Sequence, residues 1–211
     1  MPRLALIYIF LALPALAGEA GAQRAPSPTG QDDGARKALA LLLTAPRVNP
    51  VRECAIMALR DNTGLMNYRM GRAADDVVRA GLTASDDPHD PDLATLRESQ
   101  MKTWSATHSP GQVAYQEFRY CSQAQRVRPT LGSLEQTCFN VVAVPAMTEV
   151  LKHVHEDKAK ARQEVQHAFG DALPKDFLAK VVSDVYASDP EADDYAVHRQ
   201  VLASCIIRIR Q

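Results

Sequence analysis

The 211-residue chain lacks a charge excess: 24 Lys and Arg stand against 25 Asp and Glu, a formal net charge of -1. Nothing in the overall field therefore draws it to nucleic acid or to an anionic membrane. After the first twenty residues no stretch approaches the roughly 20 apolar residues that a membrane span needs. The marks of the common hydrolytic and nucleotide-binding enzymes are also missing. There is no Gly-x-Ser-x-Gly elbow, no His-Glu-x-x-His, no Gly-rich phosphate loop and no dinucleotide fingerprint. Cys-x-x-Cys and zinc-ligand spacings are absent too, so neither a metal nor a cofactor is expected. What is present, 46% hydrophobic and 23% charged residues, suits a packed globule.

The N-terminus reads Met1-Pro2-Arg3, then a nearly uninterrupted apolar run from Leu4 to Leu16, then small residues. That order of charge, apolar core and small residues is a secretory signal, with a run too short to remain as a span. Ala15-Leu16-Ala17 and Ala20-Gly21-Ala22 both offer cleavage sites, and the second gives a signal over residues 1–22. Neither site is followed by Cys, so no lipid anchor is expected. The mature protein is expected in the periplasm. Residues 23–35, rich in Pro, Gly, Gln, Ser and Asp, read as a flexible leader. Near Arg36 structure begins, with a short apolar helix through Ala38, Leu39, Leu41, Leu42 and Leu43 that Pro46 and Pro50 end.

Four cysteines remain: Cys54, Cys121, Cys138 and Cys205. An even count in an exported chain favours disulfides. The first two and the last two are each 67 positions apart. Equal spacing points to a tandem repeat of a unit of about 80 residues. Other landmarks recur in order: an apolar run opens at Cys54 and again at Cys138, and Pro91 and Pro174 each precede an apolar helix ending in an aromatic, Trp104 or Tyr186. Ser109-Pro110-Gly111 and Ser188-Asp189-Pro190 each lead to the last cysteine helix.

Apolar spacings of three and four dominate, as in Val113, Ala114, Phe118 and Cys121, and no segment alternates as a strand would. The expected fold is all-α: two tandem small helical bundles, residues 36–130 and 131–211, each stapled by a disulfide. Pro91 and Pro174 suit first helical turns. Pro145 is expected to kink or break the helix between Leu134 and Val154. Of the three possible connectivities, Cys54–Cys121 with Cys138–Cys205 uses the symmetry, joining the first and last helix of each unit. Each closed loop then contributes on the order of 4 kcal/mol in the chain-entropy model.

Among the histidines, His153 and His155 stand two apart and so point to different sides of a helix, poor for one metal. Carboxylates gather in two segments, Asp86, Asp87, Asp90 and Asp92 around His89, and Asp189, Glu191, Asp193 and Asp194. Acidic residues at helix starts ordinarily cap and complement the dipole. The functional reading is a pair of acidic loops that engage a basic cleft of a protein partner.

The stretches Glu53-Cys54-Ala55-Ile56-Met57-Ala58 with Tyr115-x-x-Phe118-x-x-Cys121 resemble the immunity proteins that neutralise type VI secretion amidase effectors. Cys138-Phe139-Asn140-Val141-Val142-Ala143 with Val201-Leu202-Ala203-Ser204-Cys205 repeats the pattern more loosely. The resemblance covers both units, from about Pro50 to Ile209. It implies a periplasmic inhibitor without catalytic activity, a small helical protein that dimerises and sets a loop at the amidase's Cys-His site. Two units in one chain depart from that pattern and suggest a covalent pseudo-dimer. Two other classes stay open: an envelope adaptor or chaperone, which predicts an exposed apolar groove, and an enzyme, which predicts a cleft with a perturbed pair of titratable groups.

Overall fold

A computed structural model describes residues 29–72, 91–126, 133–155, 157–189 and 195–208. The signal segment 1–22 lies outside them. All regular structure among the described residues is α-helical. The first helix, α1, spans Thr29–Thr44 and so begins inside the stretch read as flexible leader. Once the apolar turns at Leu39 and Leu43 are anchored, each residue added in front gains a hydrogen bond for little further ordering, so the helix extends.

A tight corner follows. Asn49 caps α2 (Pro50–Arg69) by accepting from the Arg52 amide and donates from its side chain to the Leu42 carbonyl. Pro50 takes the first helical position, where its missing N–H costs nothing. The Arg52 guanidinium donates to the carbonyls of Ala45 and Pro46.

The helices α3 (Pro91–Thr107) and α4 (Pro110–Ala124) complete the first half. Ser109 and Gln112 form a capping box at the start of α4, the helix into which the Ser-Pro-Gly turn leads. The helix around Pro145 is broken, with the break three positions ahead of the proline: α5 spans Ser133–Val141 and α6 spans Ala143–Val154. Pro145 thereby falls in the first turn of α6, where no intrahelical donor is needed. Then come α7 (Lys158–Phe169), α8 (Lys175–Ala187) and α9 (Ala196–Arg208). Pro174 stands at the N-cap of α8, one position ahead of its first turn. Ser188 does not match Ser109, because it caps the C-terminus of α8 where Ser109 starts α4.

Both expected disulfides are present, with Cα–Cα distances of 5.4 Å for Cys54–Cys121 and 5.5 Å for Cys138–Cys205. The first clamps the start of α2 to the end of α4, and the second clamps α5 to α9. Farther along the first pair, Leu65 of α2 clusters with Val113 of α4, so the two helices run antiparallel.

The halves share their largest core. One cluster draws Leu39 and Leu43 from α1, Cys54, Ala55, Ala58 and Leu59 from α2, Phe118 from α4, Cys138 and Phe139 from α5, and Leu202 and Ile206 from α9. Phe118 and Phe139, one from each half, lie 5.4 Å apart and are fully buried. Such a pair adds roughly 0.5–1.5 kcal/mol beyond its area. A bundle of a few helices has too thin a core to stand easily alone, and pooling apolar faces is the efficient solution. A second cluster joins α6, α7, α8 and α9 through Val144, Leu151, Val165, Leu178 and Val182. A third, smaller one holds Leu65, Met101 and Val113, with Tyr68 and Trp104 at its edge.

One capping device occurs in both halves of the chain. At the end of α2, Arg69 donates to the carbonyls of Ser105 and His108, at the C-terminus of α3. At the end of α6, Lys152 donates to those of Val185 and Ser188, at the C-terminus of α8. In both halves a basic side chain thus supplies the donor that exposed helix-end carbonyls require.

Candidate functional site

Of the acidic residues read as partner-binding, Asp86, Asp87, His89, Asp90, Glu191, Asp193 and Asp194 lie outside the described residues. Asp92 and Asp189 are described, and both are exposed. Asp92 occupies the first turn of α3, where a carboxylate complements the helix dipole, so the capping role accounts for it. Asp189 follows the C-cap of α8, where a negative charge faces the negative end of the dipole, and α9 starts only at Ala196. Helix capping at α8 therefore does not explain Asp189.

The histidines are dispersed. His153 and His167 are exposed. His155 ends α6 and lies 3.0 Å from Glu164. Among the described residues no group of three or more His, Cys, Asp or Glu is arranged to hold a metal ion.

Two buried polar groupings went unread in the sequence. The first joins α2, α3 and α4. Asp61 meets Arg97 at 2.6 Å, with side chains 13% and 12% exposed, and Arg97 also donates to Gln100. Burial raises the pKa of the Asp61 carboxyl, against the opposing pull of Arg97 and Arg60. Glu117 of α4 is raised as well, first by burial and then by the charge of Asp61. The signal was available: Cys54, Ala58, Asp61 and Leu65 follow one helical stripe, which places a carboxylate on an apolar face.

The second grouping is His198 on α9. Its ring is fully buried, stacked edge-on to Tyr195 at 5.1 Å, and burial lowers its pKa to about 3. Glu149 Oε1 stands 3.5 Å from Nδ1, a distance that serves an ion pair once the ring is charged but makes no hydrogen bond while it is neutral. His198, Val201, Leu202 and Cys205 share a register of three, four and seven, so this residue too was marked by position. On α2, Asn62 is buried without a hydrogen-bond partner for its amide.

A shallow groove of about 80 Å³ runs between α8 and α9, floored by Phe177, Val181 and Val201 and rimmed by Lys180, Gln200 and Arg208. Small-molecule sites commonly enclose about 300–1,000 Å³, which this groove does not approach. No helix among the described residues is long and apolar enough to cross a membrane. The two disulfides fit an exported protein of an oxidising compartment. Comparison with protein-family models, with curated proteins and with solved structures finds no match.

Proposed function

We propose that this chain is a periplasmic, non-catalytic inhibitor that binds a peptidoglycan-degrading amidase effector and blocks it, in the manner of an immunity protein. The observation that carries the reading is the pair of disulfides, one tying α2 to α4 and the other α5 to α9 around a shared core. A scaffold held in this way meets a partner with little ordering left to do, and pre-organisation of that kind is what tight stoichiometric binding needs.

The perturbed groups that an enzyme requires are accounted for otherwise in this reading. Asp61 is engaged by Arg97 within a helix interface, and His198 is sealed inside the fold. The contact surface is assigned to the acidic segments, with Asp86, Asp87, His89 and Asp90 first and Asp189, Glu191, Asp193 and Asp194 second. Clustered carboxylates on a near-neutral surface speed encounter with a basic or imidazole-containing cleft, and salt weakens the effect.

The test is the association rate of the oxidised protein with a purified amidase effector. Asp86, Asp87 and Asp90 replaced together by Asn should slow association while the helical signal persists, and added salt should slow the parent protein more than the variant. Unchanged association in that variant and in the Asp189, Asp193 and Asp194 equivalent would remove the charge assignment. Absence of binding by the parent protein would remove the inhibitor reading itself.

The alternative, an envelope adaptor with apolar partners, is favoured by one observation. Leu41, Leu42 and Ile207 leave large apolar side chains exposed on α1 and α9, two helices that pack on each other.

A further inference from the structure

The helix α3 is attached differently from its neighbours. Of its seventeen residues only Met101 is buried, and Leu96 is 66% exposed. Its counterpart in the second half, α8, buries Leu178, Val181, Val182 and Val185. Met101 does not join the large core. It belongs to the small separate cluster with Leu65 and Val113, and Trp104 lies at its edge. Its polar attachments include the Arg97–Asp61 ion pair near the middle of α3 and the Arg69 donation to the carbonyls of Ser105 and His108 at its end.

Meanwhile α2 and α4, which lie beneath α3, pack on each other directly and are covalently joined by Cys54–Cys121. Because α3 falls inside the loop which that disulfide closes, its departure leaves the link between α2 and α4 intact.

We propose that α3 is a displaceable cover, which undocks from α2 and α4 as a unit while the rest of the disulfide-bonded bundle stays folded and exposes the apolar face of Leu65, Tyr68 and Val113. Segments with few buried apolar contacts open at a lower free energy than the global one, and a cover of this kind belongs to that class. Undocking separates the Arg97–Asp61 ion pair and leaves the Asp61 carboxyl of α2 with Arg60 on its own helix and Glu117 on α4.

Trp104, the single tryptophan of the chain, sits on α3 and reports its position. The experiment is acrylamide quenching of Trp104 across a urea series, compared with far-ultraviolet circular dichroism. Expected is a rise in quenching at urea concentrations where the helical signal is still native. Met101→Ala should raise quenching further without loss of helical signal. Quenching and circular dichroism that change together would overturn the proposal, since α3 would then leave only when the whole protein unfolds.

Discussion

Gly111 marks where α4 and α5 come closest: a β-carbon there would lie 2.6 Å from the Asn140 backbone. Gly111→Ala must therefore push two packed helices apart, an overpacking cost of roughly 1–3 kcal/mol. Gly34, inside α1, has open space at the same position, and Ala there should stabilise by up to about 1 kcal/mol through helix propensity. Urea denaturation of the two variants should show midpoints moving in opposite directions. His198 gives a second prediction at this scale. Above pH 6.5 neither the folded nor the unfolded state binds a proton at this ring. Below it the unfolded chain does and the folded protein does not until about pH 3, so stability falls by as much as about 1.4 kcal/mol per pH unit in between. Asp61 and Glu117 act in the opposite sense, since folding raises their proton affinity. The measurement is thus a difference: His198→Gln should lose stability on acidification less steeply than the parent, and parallel curves would refute the assignment. The sequence marked both residues by helical register, but register alone does not say whether a polar residue in an apolar stripe is buried with a partner or turned to solvent. That depends on the third helix packed against it, Arg97 on α3 for Asp61 and Glu149 on α6 for His198.

Helices were legible wherever a local signal sets an end. Ser109 with Gln112, Asn49 with Pro50, and the break before Pro145 are all decided by a few neighbouring residues. The start of α1 was less legible, because extension of a helix depends on where its apolar turns are anchored, here against α9 and α2. The disulfide pairing followed from symmetry, and it carries a stability prediction. Replacing Cys54 and Cys121 together by Ser opens a loop of 67 positions and should cost on the order of 4 kcal/mol, with Cys138–Cys205 still paired in a non-reducing peptide map. A Cys138 found free in that variant would show the two staples to be interdependent. The basic caps were not read at all, since they join residues 36 to 39 positions apart in one half and 33 to 36 in the other. Lys152→Met keeps the aliphatic stem beside Tyr186 and removes the donor to Val185 and Ser188. It should cost about 1–2 kcal/mol, read as a lowered thermal midpoint, and an unchanged midpoint would reduce the contact to a surface ornament.

At the scale of the whole molecule the two halves of the chain pool one core, an arrangement that composition and spacing do not specify. Leu39 of α1 and Leu202 of α9 share a cluster although they stand at opposite ends of the described chain. Residues 36–130 or 131–211 expressed alone should each expose the Phe118–Phe139 contact and fail to show cooperative unfolding. A sharp transition in either fragment would restore the picture of separate bundles. The proposed role is likewise one of the whole molecule, a cross-linked helical body that in this proposal meets its partner through the acidic segments. The measurement that bears most directly on that role is amidase activity on peptidoglycan, followed while the oxidised mature protein is added in increasing molar ratio. The account predicts a straight decline to zero at a fixed stoichiometry, with no product released by the protein on its own. Full amidase activity in the presence of excess protein, or turnover of peptidoglycan by the protein alone, would contradict it.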